Sequence, residues 1–349
     1  MTDRLQVGIG ALQLKNPVIA GPAEHLIDPA NVRRALATGV GAVVLKSTNE
    51  SEGAREQLER AEYAVLDEHW NPVPWGPDAP AGATIACRSG LTRISFDQWL
   101  DDAVGFDREA KTRDAYAIPS IIVADLDEAV KMARRVEQAG LRALELNIGT
   151  PYATEAKKGA VTTEFDPRRA TAMVDAVAGA VAIPVWVKLT GQSERVPDLV
   201  NASFEGGAGA VIMAGRLLGL IPDIETQQPM LGTSLGIGGF WNLPLTCHWL
   251  ALSRAKVGAD KPLIGINGAQ TGLDVVRMML AGATAVQIAS PVMLRGFDVL
   301  SNAVAEFEHY LDRKSMTARD LIGRAADTRK SFASLEPLQD NWKRYVTNK

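Results

Sequence analysis

The feature that most constrains this 349-residue sequence is a rhythm in which short β-branched apolar runs alternate about eight times with longer amphipathic stretches. The runs fall at residues 17–20, 42–46, 120–124, 143–147, 185–189, 210–213, 263–266 and 285–289, and nearly all are apolar at consecutive positions. A strand with one wet face alternates apolar and polar residues. A run that does not alternate must be covered on both faces, as in a parallel sheet with helices packed outside it. Between the runs lie helix candidates such as 28–38, where Asp28-Pro29 supplies the cap and first turn, and 126–139, which stops at Gly140. An open doubly wound sheet shows the same alternation, but small-residue pairs after the last two runs favour a closed barrel. The expected fold is therefore α/β: a (β/α)8 TIM barrel with inserted loops at the strand C-terminal face and a C-terminal helical tail.

Three segments interrupt the rhythm. Residues 50–82 carry Trp70, Trp75 and four prolines, residues 215–239 are glycine-rich, and residues 313–349 are strongly charged. The first two have the length of lids, substrate loops or oligomer contacts. The division expected is one barrel domain, 1–312, and a tail, 313–349, that packs on the barrel as helix. With 46% hydrophobic residues, a chain of this length can bury a full core as one large barrel or as two medium domains, and no internal repeat, linker or low-complexity tract argues for a second domain.

Composition narrows the chemistry. A net charge of -4 gives no overall basic field for nucleic acid or anionic membranes. Two cysteines, Cys87 and Cys247, and four histidines form no CxxC cluster for zinc or an iron–sulfur centre, so no metal is expected. No stretch reaches the ~18 apolar residues of a membrane span and no signal-peptide core opens the chain, so a cytoplasmic protein is expected.

In a (β/α)8 barrel the chemistry sits at the strand C-terminal ends. There the sequence places Lys46-Ser47-Thr48, Asn147-Ile148-Gly149-Thr150-Pro151, Lys188, Asn267-Gly268 and Ala289-Ser290. Small residues after the seventh and eighth runs let backbone N–H groups reach a phosphate, or simply permit tight turns. Lys188 ends the apolar run Val185-Trp186-Val187, where an unpaired ammonium is costly to bury. Its partner is either a reduced flavin or a structural carboxylate. A flavin-free lyase or aldolase, with Lys46 or Lys188 as a Schiff-base amine, is the alternative from a different class.

Taken in order, Asn16-Pro17-Val18-Ile19-Ala20-Gly21-Pro22-Ala23, Lys46-Ser47-Thr48, Asn147-Ile148-Gly149-Thr150-Pro151-Tyr152, Val187-Lys188-Leu189, Gly236-Ile237-Gly238-Gly239, Gly265-Ile266-Asn267-Gly268 and Gly282-Ala283-Thr284-Ala285-Val286-Gln287-Ile288 resemble the dihydroorotate dehydrogenase family. The resemblance spans residues 5–300, including an opening segment similar to the hairpin that closes the barrel bottom in that family. It implies FMN, with Ala20, Gly21, Lys46, Ser47, Asn147 and Lys188 around the isoalloxazine and ribityl chain. Gly239, Asn267, Gly268, Ala289 and Ser290 would then lie near its phosphate. It also implies removal or addition of two hydrogens across a C–C bond beside a carbonyl, and a homodimer, as soluble members of the family are often dimeric.

The departures from the family pattern are informative. Thr150 stands where the family has a Cys or Ser base, and Tyr152 replaces its second Asn. Thr150, Lys46 and Tyr152 are the catalytic candidates, but a threonine hydroxyl needs a relay to act as a base and is equally suited to hydrogen-bonding in a turn. Cys87-Arg88-Ser89-Gly90-Leu91-Thr92-Arg93 replaces a loop that normally carries two asparagines, and Met213-Ala214-Gly215-Arg216 replaces a polar pair. A site that loses amides and gains Arg88, Arg93 and Arg216 suits a carboxylate or phosphate better than a pyrimidine edge, unless those arginines are solvated surface charges. The expected function is an FMN-dependent oxidoreductase acting on a C=C or CH–CH bond beside a carbonyl in a small anionic substrate; a dihydroorotate or dihydropyrimidine dehydrogenase with an altered site is its close variant. The electron donor or acceptor is unidentified, since neither a nicotinamide fingerprint nor iron–sulfur ligands occur. Glu24-His25, after the first run, and His69 are further groups near the expected mouth.

Overall fold

The computed structural model describes residues 3–150, 153 and 159–346. Eight parallel strands close on themselves: β1 (Val18–Ala20), β2 (Ala42–Val44), β3 (Tyr116–Ile118 continued by Ser120–Ile122), β4 (Leu144–Asn147), β5 (Val185–Lys188), β6 (Ala210–Met213), β7 (Leu263–Ile266) and β8 (Ala285–Ile288). The ring closes where Val286 of β8 pairs with Val18 of β1. The third strand starts four residues before the sequence-based bound because Pro119 splits it. Its first half pairs with β2 and its second with β4. Proline has no N–H for the ladder, but its carbonyl still accepts the Glu145 N–H at 2.8 Å.

Eight helices surround the barrel: α1 (Pro29–Ala37), α2 (Phe96–Lys111), α3 (Leu126–Gln138), α4 (Pro167–Ala178), α5 (Val196–Glu205), α6 (Leu243–Val257), α7 (Gly272–Leu280) and α8 (Asp298–Lys314). Their starts follow local chemistry. Asp28 caps α1 by accepting the Ala30 N–H at 2.7 Å, with Pro29 in the first turn, and Asp125 caps α3 through Glu128 N–H at 3.1 Å. At the barrel bottom, Val7–Ile9 and Leu12–Leu14 form a hairpin whose Val7, Ile9, Leu12 and Leu14 side chains are buried.

The two segments expected as loops are instead parts of one sheet. Leu217–Gly219, Leu235–Gly239, Thr84–Arg88, Glu62–Leu66 and Pro72–Val73 lie side by side, antiparallel, in that order. All five belong to insertions that follow the C-terminal ends of β2 and β6, so this sheet roofs the barrel mouth. Its strands escape sequence reading because they are short, interrupted by Gly and Pro, and paired across long chain separations, as with Cys87 opposite Gly236.

The tail also departs from expectation. α8 ends at Ser315, and Ala318–Leu321 packs on α7 with Ala318 and Leu321 buried. Asp327 then accepts two bonds from Arg254, at 2.7 and 2.8 Å. From residue 329 to 346 the chain is exposed almost throughout and makes only short 3-10 turns, so it is an arm rather than a helix packed on the barrel.

Candidate active site

Between the barrel mouth and the roof lies a cleft of about 1290 Å³, measured to its open mouth. Lys46, Lys188, Arg216 and Arg295 line it, and among the described residues no carboxylate does.

Lys188 stands at the foot of the cleft on a buried polar chain. Its Nζ is 3.6 Å from Glu145 Oε1 and 3.5 Å from Gln287 Oε1. Gln287 Nε2 donates to Glu145 Oε2 at 3.0 Å, Ser120 Oγ donates to Glu145 Oε1 at 2.8 Å, and Ser47 Oγ lies 2.8 Å from Ser120 Oγ. Glu145 is wholly buried, with 0% of its surface exposed, so its charge is sustained only by this set of partners. Burial holds the Lys188 pKa below the ordinary lysine value despite the opposing pull of Glu145. Both Lys188 contacts are long, which leaves ammonium donors directed at the cleft.

Lys46 closes a second pair at the roof, 3.2 Å from Glu24 Oε1, and its backbone carbonyl accepts the Trp99 indole N–H at 3.1 Å. Glu24 also accepts the Gly90 N–H at 3.0 Å. A side chain at Gly90 would place its Cβ 2.3 Å from Leu58 Cα, so only glycine lets this loop cross the insertion and reach Glu24. Burial pushes the Glu24 pKa up, but Lys46, Arg216, the Tyr63 hydroxyl and the Gly90 N–H together hold it below the ordinary value. The Tyr63 hydroxyl faces Glu24 without closing a hydrogen bond of ordinary geometry. Arg216 reaches across from the β6 side, donating to Ser89 Oγ at 3.1 Å and to Cys87 Sγ.

Thr150 lies beyond β4 and is buried, and among the described residues its Oγ1 has no hydrogen-bond partner. Asn147 Oδ1 accepts the Gly149 N–H at 3.0 Å, bending the chain so that Asn147, Gly149 and Thr150 all line the cleft. A Cβ at Gly149 would lie 2.2 Å from Thr190 N, so this turn also requires glycine. On the far side, Gly239, Asn267, Gly268, Ala289 and Ser290 form one wall. Asn267 takes a left-handed φ of 73° and donates from Nδ2 to the Gly215 carbonyl at 3.3 Å.

These residues fit FMN. A wall of small residues at one end suits a phosphate, a cation with spare donors stands at the foot, and an orphaned hydroxyl faces the cleft beside it. Of the positions singled out in the sequence, Lys46, Ser47, Asn147, Thr150, Lys188, Arg216, Gly239, Asn267, Gly268, Ala289 and Ser290 line one cleft. Ala20 and Gly21 sit just behind Pro22 and Ala23, which line it in their place. Arg88 and Arg93 do not line it. Arg88 pairs with Glu62 on the adjacent roof strand and donates to the Leu231 carbonyl, while Arg93 pairs with Glu59 at 2.7 Å in a largely exposed position. Tyr152 lies outside the described residues.

Glu145, Gln287, Tyr63 and Arg295 were missed. Glu145 and Gln287 had a visible signal, since each is a polar residue inside an otherwise apolar barrel strand. Arg295 had none, because its place depends on a roof loop to which it donates, through the carbonyls of Ala79 and Pro80 at 3.2 and 3.0 Å.

His25 packs 5.9 Å from the Phe297 ring, with both ring nitrogens buried and unpartnered. Burial is the main cause of its pKa falling from 6.5 to about 4. The unfolded chain therefore binds the extra proton between those values, and stability is lost as pH falls from about 6.5 towards 4, by up to about 3 kcal/mol. Urea unfolding of wild type and His25→Gln across this range should show a shallower loss in the variant. Parallel curves would refute the assignment.

The match to known proteins agrees with this geometry. The dihydroorotate dehydrogenase family model matches residues 67–311. A dihydroorotate dehydrogenase B (NAD(+)) catalytic subunit from Methanocaldococcus jannaschii is 27% identical over 334 residues, covering 92% of this chain and 98% of that protein. Its counterpart from Methanosarcina acetivorans is 31% identical over 311 residues, covering 87% and 90%. A dihydroorotate dehydrogenase A (fumarate) from Limosilactobacillus reuteri is 28% identical over 295 residues, covering 83% and 87%. Barrel, cleft and family match lead to one conclusion: this chain belongs to the dihydroorotate dehydrogenase family of FMN-dependent (β/α)8-barrel oxidoreductases that act on CH–CH bonds.

Proposed function

We propose that the substrate of this enzyme is a small anion carrying a CH–CH or C=C bond beside a carbonyl, oriented by Arg216. The observation that carries this reading is the charge of the cleft: Lys46, Lys188, Arg216 and Arg295 line it, against two carboxylates, Glu24 and Glu145, that pair with the lysines from behind its wall. Lys188 and the wall of Asn267, Gly268, Ala289 and Ser290 would hold FMN, which when bound would supply the two-electron exchange. Arg216, fixed by Cys87 and Ser89, presents guanidinium donors to a carboxylate. Lys46 is held in place by Glu24 and stabilises charge at the carbonyl end. Thr150 Oγ1 takes the proton from the carbon next to the one that exchanges hydride while passing its own hydroxyl proton to a bound water, since no side chain among the described residues hydrogen-bonds it.

The relatives' names make dihydroorotate the first compound to test, and NAD(+) and fumarate the first electron acceptors. The positions facing Arg216 favour a different substrate, because the thiol of Cys87 and the hydroxyl of Ser89 serve the guanidinium rather than a pyrimidine edge. The decisive assay is anaerobic bleaching of the oxidised flavin absorbance by dihydroorotate and by a panel of small saturated carboxylates, with reoxidation of the reduced flavin by their unsaturated counterparts. Arg216→Ala should raise KM for the active carboxylate about 10- to 100-fold, the span expected when a charge-assisted hydrogen bond is lost, while FMN content stays unchanged. Efficient turnover of dihydroorotate with no response to carboxylates would favour the conventional substrate. Colourless protein that takes up no FMN would remove the flavoenzyme reading.

A further inference from the structure

Arg295 differs from the two lysines of the cleft in the partners it keeps. Lys46 and Lys188 each face a carboxylate, Glu24 and Glu145, whereas among the described residues Arg295 faces none. Its Nη2 donates to the carbonyls of Ala79 and Pro80 at 3.2 and 3.0 Å, and its Nη1 to Gln270 Oε1 at a long 3.5 Å. A guanidinium has more donors than these bonds use, so the Nε–H and one Nη1–H stay uncommitted. A half-buried cation that lines a cleft and meets only neutral acceptors is completed by an anion that the protein does not itself supply.

The place of Arg295 says which anion. It ends a short helix, Ser290–Arg295, that begins at the small-residue wall, and helical side chains lean back towards the start of their own helix. Gln270, to which it donates, stands two residues beyond Gly268 of the same wall, so the guanidinium lies beside the part of the cleft suited to a phosphate. The helix is also fastened to the roof. Leu294 is buried against Val65, Ala79, Ala83 and Ile85, and the Ala79 and Pro80 carbonyls held by Arg295 belong to the same insertion.

We propose that Arg295 binds the phosphate of FMN and, through the Ala79 and Pro80 carbonyls, holds the roof down over it, so that closure of the roof depends on the phosphate group as well as the ring. A phosphate dianion keeps the guanidinium inside the cleft, where it carries the loop with it. Without that anion the cation is drawn towards water, and a flavin lacking the phosphate lies beneath an unfastened roof. Arg295 then serves the cofactor, which leaves Lys46 and Arg216 for the substrate. The inference does not depend on which substrate the cleft accepts.

Titration of flavin-stripped protein with FMN and with riboflavin, read by quenching of flavin fluorescence, tests the contact. Arg295→Gln should weaken FMN binding about 10- to 100-fold, the span for one charge-assisted hydrogen bond, and leave riboflavin affinity unchanged. Unchanged riboflavin binding also shows that the variant is folded. Equal loss of both flavins makes Arg295 a prop of the roof alone and overturns the phosphate contact, as does loss of neither. The coupling is read in wild type by hydrogen exchange over residues 62–88 at saturating flavin, where FMN should slow exchange well beyond riboflavin. In Arg295→Gln the two flavins should protect the roof alike. Equal protection by both flavins in wild type overturns the fastening of the roof, and a difference that persists in the variant overturns Arg295 as its cause.

Discussion

Lys188→Ala is expected to destabilise the cofactor-free chain by about 3–5 kcal/mol, the cost of leaving one member of a buried ion pair without its partner. The stranded group is Glu145, fully buried, which would retain hydrogen bonds from Ser120 and Gln287 but lose the nearest cation. Urea unfolding would measure the loss. Lys188→Met combined with Glu145→Gln should recover most of it, because glutamine keeps an acceptor for Ser120 and removes the charge; a double-mutant cycle isolates the coupling. If the double variant is as unstable as Lys188→Ala alone, the pair is not what holds this part of the barrel. The pH dependence has a definite sign. Burial lowers the folded pKa of Lys188, so the unfolded chain keeps this proton to higher pH. The group's contribution to stability therefore rises with pH between the folded and unfolded values and is least below the folded one. Glu145→Gln removes the pull that opposes desolvation, lowers the Lys188 pKa further and extends that window downwards. In the same variant Lys188 should lose its proton at lower pH than in wild type, so the flavin's affinity should change with pH over a correspondingly lower range.

The second large effect concerns Thr150. Thr150→Val keeps the shape of the side chain and removes its hydroxyl, and should lower turnover by ~10²–10⁴-fold, the range for losing a positioned proton-transfer group. Because Oγ1 has no hydrogen-bond partner among the described residues, the substitution breaks no bond to them, so stability and FMN content should stay near wild type. Thr150→Ser and Thr150→Cys should retain activity, and cysteine should shift the pH–rate profile towards lower pH, since a thiol loses its proton far more readily than an alcohol. A valine variant with full turnover would show that the hydroxyl only shapes the turn. Stopped-flow reduction of the flavin separates the two cases, because it reads the chemical step directly.

Much of the scaffold was legible because it depends on local rules. The non-alternating apolar runs at β1, β5, β6 and β7 can be buried only on both faces, and Asp28 and Asp125 mark helix starts by their own chemistry. The residues at strand ends, Lys46, Asn147, Lys188, Asn267 and Ser290, were legible because in this architecture the end of a strand is a place in space. What failed was whatever depended on partners remote in sequence. Arg88 looked like Arg216 in the sequence, but its neighbour across the roof sheet is Glu62, and that pairing decides its role. Pro119 hid half of a strand, and the glycines of residues 236–239 hid a roof strand whose partner is about 150 residues away. The tail's charge suggested a packed helix, whereas its apolar residues lie without a core beneath them.

The two-part roof carries a consequence for the order of assembly. Its central pairing, Cys87 with Gly236, joins segments that lie on either side of four barrel strands. Closing so long a loop in an otherwise open chain is entropically costly, but once those strands have formed the barrel, the two segments already stand over the same rim. The roof is therefore the last part to form and the first to open. Lys188 and its chain belong to the barrel and are set early, while the seat of Arg216 exists only after both segments have met. The seat of Arg216, and with it the choice of substrate, is thus completed after the lysine chain beneath it, while Gly239, at the end of a roof strand, ties the phosphate wall to the same late step.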